Sequence, residues 1–381
     1  MKKGWKTVPL GELCDVLDHK RKPITKRDRE AGEYPYYGAT GVLDHVAGYL
    51  FDEPLVLVGE DGAKWASGEN TAFAVEGKIW VNNHAHVLRP HRNTLLDNWL
   101  IYHLNHSDLI EFVSGLTVPK LNQGCLREIP VPVPPLAEQQ RIVGLLDEAF
   151  EGLATAKANA EKNLQNARAL FESHLQSVFT QRGPGWLDST IGAEIKFIDY
   201  RGKTPVKTTS GVRLITAKNV KMGFLQETPM EFIAAASYKG WMTRGIPQKG
   251  DVLFTTEAPL ANVAQLDTDE KVAFAQRIII MQPNAARLDS TFLKYLLLSQ
   301  PVQQRIRTKG TGATVQGIKA SLLKLIAISF PKSLTTQEEI VSKLDDLREE
   351  TQRLARLSER KHAALEALKK SLLHQAFTGA L

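Results

Sequence analysis

The stretch "PLAEQQRIVGLLDEAF" (135–150) ends a proline run and opens a long polar–apolar pattern, and a related stretch, "LTTQEEIVSKLDDLRE", follows at 334–349. The blocks 136–180 and 334–378 align at a spacing of 198 without a gap. Apolar residues recur at helical spacing in both blocks, and neither contains proline. The chain therefore contains the same long amphipathic helix twice, by prediction.

Each predicted helix has its own start signal. Pro135 suits the first turn of the first helix because its φ is fixed. "TTQE", from Thr335 to Glu338, has the form of a capping box for the second. At a rise of ~1.5 Å per residue, 45 residues extend roughly 65–70 Å, and so long an apolar stripe needs a partner. We expect the two helices to form an antiparallel coiled coil, the second ending near Trp5.

The repeat extends over the rest of the chain. Its matched blocks occur in the same order in both halves, and their spacing rises from 181 to 198 through loop insertions. Repeated order at rising spacing indicates one structural plan present twice. The matched blocks are "WKTVPLGELCDVLDHKRKP" with "WLDSTIGAEIKFIDYRGKTP", "KIWVNNHAHVLRP" with "KVAFAQRIIIMQP", "GLTVPKLNQGCLREI" with "GATVQGIKASLLKLI", and the two helical blocks.

Ahead of each helix lies a globular portion rich in short strand-like runs, punctuated by Gly, Pro and Asn. The predicted fold class is α+β: two repeated mixed α/β domains, mostly antiparallel, separated by the paired helices with pseudo-two-fold symmetry. The "VPVPP" run at 131–135 suits only an edge strand or an extended lead, because proline donates no ladder hydrogen bond. The predicted boundaries are 1–135, 136–180, 181–333 and 334–381.

Composition is that of an ordinary globular protein, with 43% hydrophobic and 24% charged residues. Cys14 and Cys125 fit neither a disulfide framework nor a metal framework. We find no membrane span and no secretory leader, and expect a cytoplasmic, prokaryotic protein. The net charge is +6, and its excess lies in residues 181–333, which carry 21 Lys+Arg and 11 Asp+Glu. Such a block is a candidate footprint for nucleic acid.

Two similar domains on a rigid spacer suit a periodic ligand that is bound at two places. DNA is such a ligand, since the separation of half-sites must match the geometry of the protein. The alternative is an antiparallel coiled coil that serves only as structure.

At this point the residues point to a family. The chain resembles the specificity (S) subunit of type I restriction-modification enzymes over essentially its whole length. The strongest motif is "PVPPLAEQQRIVGLLD" (132–147), repeated as "LTTQEEIVSKLDD" (334–346) with Thr336 and Glu338 in place of Glu138 and Gln140. Supporting motifs are "VPLGEL" (8–13), "GATVQGIKASLLKLIAISFP" (312–331) and "LLHQAFTGAL" (372–381).

The resemblance implies two target-recognition domains, each reading one half of a bipartite double-stranded DNA sequence. It also implies that the helices set the spacer between the halves and dock two methyltransferase (M) subunits. S-adenosylmethionine is then expected in those partner subunits and no cofactor in this chain. Restriction/translocase (R) subunits complete the complex, with no membrane partner.

The sequence offers few catalytic signals. It contains neither an Asn/Asp-Pro-Pro-Tyr tetrapeptide nor a phosphate-binding G-x-x-x-x-G-K-[ST] loop. The spacings His84-x-His86 and His103-x-x-His106 could each supply two metal ligands, but neither pair has a completing ligand, so surface or core histidines are favoured. We expect a non-catalytic subunit with no catalytic residues and no metal site.

Candidate DNA contacts are basic and amide residues in Gly/Pro-punctuated loops. Lys and Arg attract phosphates, whereas Asn, Gln and Arg also make paired hydrogen bonds to base edges. For each residue the alternative is an ordinary solvated loop position. The candidates are Lys20, Arg21, Lys22, Asn82, Asn83, His84, Lys120, Asn122, Gln123, Arg201, Lys203, Lys218, Asn219, Gln276, Arg277, Lys309, Thr311, Thr314 and Gln316.

Glu138, Gln139, Gln140 and Gln337 are the candidate partner contacts, because they lie where each globular portion meets its helix. The sequence leaves open whether they touch a methyltransferase or only cap and solvate the first turn. Two other functions also stay open: a detached piece of a fused restriction–methylation enzyme, and a coiled-coil scaffold with no nucleic-acid role. The recognised DNA sequence is not readable from the residues.

Overall fold

A computed structural model describes residues 4–115, 117–200, 204–312 and 316–381. The chain divides into two compact units, one formed by the described residues of 1–162 and 358–381, the other by those of 163–357. Each long helix therefore contributes one segment to each unit. No helix in the described ranges combines the length and apolarity needed to cross a membrane.

The first unit contains the following strands and helices. Its strands are β1 (Lys6–Pro9), β2 (Cys14–Val16), β3 (Ala31–Gly38), β4 (Gly41–Val46), β5 (Phe51–Asp52), β6 (Leu55–Gly59), β7 (Ala72–Val75), β8 (Lys78–Val81), β9 (Ala85–Pro90), β10 (Val113–Ser114), β11 (Lys120–Leu121) and β12 (Pro130–Val133). Its α-helices are α1 (Leu10–Leu13), α2 (Asp97–His106), α3 (Gln123–Glu128), the start of α4 (Leu136–Thr180) and the end of the second long helix, from Ser358 onward.

The second unit repeats this plan. Its strands are β13 (Trp186–Thr190), β14 (Ile195–Asp199), β15 (Lys207–Thr208), β16 (Val212–Ile215), β17 (Glu231–Ile233), β18 (Val252–Thr255), β19 (Val263–Gln265), β20 (Val272–Phe274), β21 (Ile278–Pro283) and β22 (Ala327–Pro331). Its α-helices are the end of α4, from Asn163 onward, then α5 (Ile191–Glu194), α6 (Tyr238–Trp241), α7 (Ser290–Leu298), α8 (Gln300–Lys309), α9 (Ala320–Lys324) and the start of α10 (Leu334–Thr378).

Equivalent sheets appear in both units. An antiparallel sheet has the order β2-β9-β6-β7 in the first unit and β14-β21-β18-β19 in the second. A second sheet, β4-β3-β8-β5 or β15-β17-β16-β20, contains one parallel pair, β3 with β8 or β16 with β20. The first three residues of the proline run lie in β12, which among the described residues pairs with β1 alone, as its composition requires. The predicted repeat and mostly antiparallel α+β fold are confirmed.

Strand β6 shows why the two sheets pack face to face. Its residues "LVLV" are all buried, and successive side chains point to opposite faces. Val56 and Val58 join the core that includes the helices, whereas Leu55 and Leu57 join the core shared with the second sheet. Each unit is thus a helix layer and two sheet layers, with the loops at the strand ends left at the surface.

Within the first unit the two long helices run antiparallel. Lys157 Nζ lies 3.1 Å from Glu366 Oε1, and Lys369 Nζ lies 5.3 Å from the centroid of the Phe150 ring. The last turns of α10 pack on the domain core, where the Phe377 and Trp99 ring centroids are 4.8 Å apart. Trp5 packs edge-on against the same Trp99 ring, so the second helix does end beside Trp5.

The predicted cap of the second helix is wrong. Helix α10 begins at Leu334, and the Ser333 hydroxyl, rather than that of Thr335, accepts a hydrogen bond from the Thr336 amide at 3.3 Å. Serine is as good an N-cap as threonine, and its position before the first helical residue decides the choice. The capping box expected of Thr335 and Glu338 therefore does not form.

Candidate nucleic-acid interface

Three loops meet at one end of the main sheet in the first unit: Glu60–Asp61 after β6, Asn82–His84 between β8 and β9, and the segment around Lys120. The Glu60 amide donates to the His84 carbonyl at 2.9 Å, and the Leu121 amide donates to the Glu60 carbonyl at 2.8 Å. Asp61 forms a bridge with Lys120. We call this set of loops the three-loop end.

A charged network lies beneath the three-loop end. The Arg21 guanidinium reaches the Asp18 carboxylate at 3.2 Å, pairs with the Glu60 carboxylate and donates to the Ala85 carbonyl at 2.7 Å. Its side chain is only 12% exposed. Arg21, predicted as a DNA contact, is therefore held inside the unit by the carboxylates of Asp18 and Glu60.

Lys120 and Gln123 join the same network. Lys120 Nζ lies 2.7 Å from Glu60 Oε1, and Gln123 Nε2 donates to Asp18 Oδ2 at 3.0 Å. Burial raises the pKa of the Glu60 carboxyl, but hydrogen bonds from Lys120 and Arg21 outweigh burial and leave the pKa below its ordinary value. The network therefore favours ionised carboxylates paired with fixed cations.

His86 completes the network from strand β9. Its Nδ1 lies 2.6 Å from Asp18 Oδ2, and its Nε2 lies 2.7 Å from the Leu121 carbonyl oxygen. Burial raises the pKa of the Asp18 carboxyl, and hydrogen bonds from His86 and the Val87 amide outweigh it, so the pKa is lowered. These contacts fix the loop before β3 against the strands.

Asp18, Glu60 and His86 place ligand-type atoms within 4.8 Å of one another, which is the spacing of a metal site. Arg21 and Lys120 already supply the positive charge that these carboxylates would otherwise take from a metal ion. His84 pairs with Asp61 and not with this cluster. The arrangement is a buried ion-pair network, and His84 and His86 do not face a common point.

The second unit has the same three-loop end. The Thr256 amide donates to the Arg277 carbonyl at 2.9 Å, and the Ile318 amide donates to the Thr256 carbonyl at 2.9 Å. These bonds match those of Glu60, His84 and Leu121. Arg277 Nε lies 2.9 Å from Glu257 Oε1, at the place where His84 pairs with Asp61. A basic side chain paired with a carboxylate therefore occupies one position in both repeats.

A depression of about 240 Å³ opens beside the three-loop end of the second unit. It brings together three predicted residues, Lys218, Gln276 and Arg277, over a floor that includes Ala217 and Ala275. Arg277 has a left-handed φ of +79°, which is uncommon for a residue other than glycine. In the first unit Asn82 stands where Ala275 stands in the second.

Two predicted amides are buried within the fold. Asn82 Oδ1 accepts from the His84 amide at 2.8 Å. Asn219 is 1% exposed, and its Oδ1 accepts from the Thr216 amide at 2.9 Å while its Nδ2 donates to the Pro229 carbonyl at 2.9 Å. Both side chains shape their turns, and neither is free to face a base.

The remaining predicted DNA contacts fall into two groups. The exposed residues are Lys20, Lys22, Asn83, Asn122, Lys309, Thr311 and Gln316. Thr311 and Gly317 exchange two backbone hydrogen bonds, and Gly317 also forms a bridge with Glu257. Arg201, Lys203 and Thr314 lie outside the described residues.

Gln139 and Gln337, predicted as partner contacts, are fully buried. Gln139 Oε1 accepts from the Leu96 amide at 2.9 Å, and its Nε2 donates to the carbonyls of Thr94 and Pro134 at 2.8 and 2.9 Å. Both donors of this amide and its carbonyl oxygen are thereby bonded inside the chain. No part of it remains for a second protein.

Gln337 repeats the arrangement in the second unit. Its Oε1 accepts from the Asp289 amide at 2.8 Å, and its Nε2 donates to the carbonyls of Arg287 and Pro331, both at 2.8 Å. Each glutamine joins the start of a long helix to the loop ahead of the domain helix. We call Gln139 and Gln337 the joint glutamines.

Glu138 and Gln140 differ from their buried neighbour. The Glu138 carboxylate accepts two hydrogen bonds from the guanidinium of Arg141, with Nε to Oε2 at 2.8 Å, and Gln140 is exposed. These two residues present side chains at the surface of the first helical turn. The sequence did not distinguish them from Gln139, since all three are polar.

Sequence reasoning missed the carboxylates of the three-loop end: Asp18, Glu60, Asp61 and Glu257. Basic and amide side chains are the usual DNA contacts, so the sequence offered no reason to select acidic residues. One signal was present, because Asp18 and Asp199 are aligned in the repeat. Nothing in the sequence announced that Asp18 would meet His86, which lies 68 residues away.

Comparison with known proteins identifies the architecture. The family model described as the type I restriction modification DNA specificity domain matches residues 2–164 and 214–360. The chain belongs to the type I restriction-modification specificity-subunit family. A Haemophilus influenzae chain provisionally named as such a subunit is 28% identical over 350 residues, covering 90% of this chain and 86% of that protein. The MjaVIII specificity subunit of Methanocaldococcus jannaschii is 21% identical and covers 98% and 92%.

Solved structures show the same fold for this specificity subunit. A chain solved in work on complex assembly and conformational transition of the type I restriction-modification system superposes with a TM-score of 0.76 at 20% identity, covering 100% of this chain and 99% of its own. The HsdS subunit from Thermoanaerobacter tengcongensis gives 0.60 at 18% identity, covering 100% and 98%. At these identities the likeness concerns the fold.

Proposed function

We propose that this specificity subunit binds double-stranded DNA and reads a bipartite sequence, one half with each unit. The observation that carries the proposal is the recurrence of the three-loop end. Each unit presents an exposed basic side chain, His84 or Arg277, at the same structural position and with the same backbone hydrogen bonds around it. Two equivalent surfaces in one chain suit a ligand with two half-sites.

Charge supports unequal roles for the two units. The depression of the second unit gathers Lys207, Lys218 and Arg277, and residues 181–333 hold the excess of Lys and Arg. Phosphate attraction of this kind is salt-dependent and carries no sequence information. The second unit supplies most of the nonspecific attraction, and the first depends more on contacts to base edges.

The long helices set the distance between the half-sites and dock two methyltransferase subunits. Their surfaces offer apolar contact, since Leu145 and Leu368 in the first unit are 43% and 47% exposed. Glu138 and Gln140 add polar contact at the first turn. Restriction/translocase subunits join this assembly.

The chemistry belongs to the partners. S-adenosylmethionine binds the methyltransferase subunits, and this chain contributes recognition without catalysis. The lack of any methyltransferase tetrapeptide or phosphate-binding loop in the sequence supports this division.

Selection from a library tests the proposal. The full chain, with its methyltransferase partner, is incubated with random duplex DNA, and bound molecules are sequenced. Enrichment of two short sequences at a constant separation supports a bipartite reader. Enrichment of no sequence at low and moderate salt would contradict it, and so would one uninterrupted sequence.

A further inference from the structure

Each three-loop end places a carboxylate beside a basic side chain. Asp61 pairs with His84, and Glu257 pairs with Arg277. The His84 and Arg277 side chains are 50% and 47% exposed, and those of Asp61 and Glu257 are 18% and 44% exposed, so Asp61 presents only its edge to the surface. Each pair therefore lies where a ligand at this end would meet it.

A carboxylate at such a surface has an electrostatic cost, because phosphates repel it. The neighbouring positions differ between the units: Lys120 stands opposite Gly317, and Asn82 opposite Ala275. The carboxylate nevertheless appears in both. Both units thus keep a carboxylate at this position, Asp61 or Glu257, although the residues around it differ. A role in accepting a hydrogen bond that discriminates between bases explains why the carboxylate is kept.

The chemistry of the major groove indicates which base. Carboxylates accept from the N4 amino group of cytosine. Adenine also offers an amino group, but its N7 acceptor lies beside it and repels a carboxylate. The guanine paired with cytosine presents O6 and N7 acceptors, to which an arginine or a histidine ring N–H donates. A carboxylate beside an N–H donor is thus complementary to one C·G base pair.

We propose that Asp61 and Glu257 are specificity-determining residues, each accepting a hydrogen bond from the N4 amino group of a cytosine in the half-site read by its unit. His84 and Arg277 hold these carboxylates in the free protein and face the paired guanine in the complex. This inference rests on the proposed function, and it adds the residue and the base that set one position in each half-site.

The test uses Asp61→Asn and Glu257→Gln, which remove the charge with little change in shape. Each variant of the full chain, with its methyltransferase partner, is put through selection from random duplex DNA. We expect the wild type to require C·G at one position in each half. Asp61→Asn should lower that preference about tenfold or more in one half only, and Glu257→Gln in the other half only.

Matched controls lie at the opposite end of the same strands. Glu53 pairs with Arg89 ahead of β6, and Asp269 pairs with Lys249 ahead of β18. Glu53→Gln and Asp269→Asn remove a paired carboxylate of the same unit away from the three-loop end, and both should keep the wild-type preference. Melting curves verify folding; if an isosteric variant melts early, Asp61→Ser or Glu257→Ser removes the same carboxylate.

Two results would overturn the inference while leaving the proposed function intact. One is an unchanged preference in both halves for both variants. The other is a uniform change in affinity for all sequences, which would show that the carboxylates act only on the overall field. If the wild type itself enriches no bipartite sequence, the proposed function fails and not only this assignment.

Discussion

The joint glutamine Gln139 offers a sharp test of how the first long helix is attached to its domain. Replacing it with leucine keeps a similar volume but removes one acceptor and two donor positions. The Leu96 amide and the carbonyls of Thr94 and Pro134 then lose their partners. Because the site is fully buried, water does not replace them freely.

The expected loss follows from those three groups. Each buried polar group left without a partner costs about 1–3 kcal/mol, and the added apolar burial of leucine offsets part of the total. We expect Gln139→Leu to lower the free energy of unfolding by about 3–5 kcal/mol in urea titrations. Gln140→Leu, one residue along and exposed, should change it by less than about 0.5 kcal/mol.

Measuring assembly with the methyltransferase subunit distinguishes a residue that stabilises the fold from one that contacts the partner. At a temperature where both variants stay folded, Gln139→Leu should still bind the partner, because its side chain was never at the surface. Substitution of Glu138 and Gln140 together should weaken binding with little loss of stability. If Gln139→Leu had the same free energy of unfolding as the wild type but no longer bound the partner, the assignment of Gln139 to internal hydrogen bonds would be refuted.

Three further predictions concern charge. Burial lowers the pKa of His103 from 6.5 to about 4, so between these pH values the unfolded chain binds one more proton than the folded chain. The free energy of unfolding should therefore fall by on the order of 3 kcal/mol as the pH drops from 6.5 to 4. His103→Gln should flatten this part of the plot of unfolding free energy against pH. Arg21→Ala should destabilise the first unit by about 1–3 kcal/mol, because the Asp18 and Glu60 carboxylates lose one partner but keep His86 and Lys120. Lys22→Ala should lower DNA affinity and leave the urea midpoint unchanged. Lys218→Gln should reduce the salt slope of DNA binding by about one without altering base preference, as measured by titration over a range of salt.

The long helices and the repeat were predictable because their signals are local and periodic. Apolar spacing at Ile142 and Leu146, repeated at Ile340 and Leu344, reports a helix stripe without knowledge of the fold. The prolines at 131–135 likewise limit this segment to an edge strand, because proline has no amide hydrogen to donate. Such patterns depend on neighbours a few residues away.

The roles of single polar residues were not predictable, because their partners lie far along the chain. Gln139 looks like its neighbours Glu138 and Gln140 until the loop near Leu96, 43 residues away, folds against it. Arg21 looks like a DNA contact until Glu60, 39 residues away, pairs with it. The sequence around a lysine or glutamine in a loop does not show whether its side chain faces solvent or a buried carbonyl.

The central claim is that two equivalent units of one chain read one bipartite site for a methyltransferase partner. Methylome sequencing of cells that carry this chain and its partner subunits measures it directly. The account predicts methylated adenines within two short sequences separated by a constant gap, and their loss when this chain is deleted. Methylation that persists without this chain, or that falls on a single uninterrupted sequence, would contradict the account.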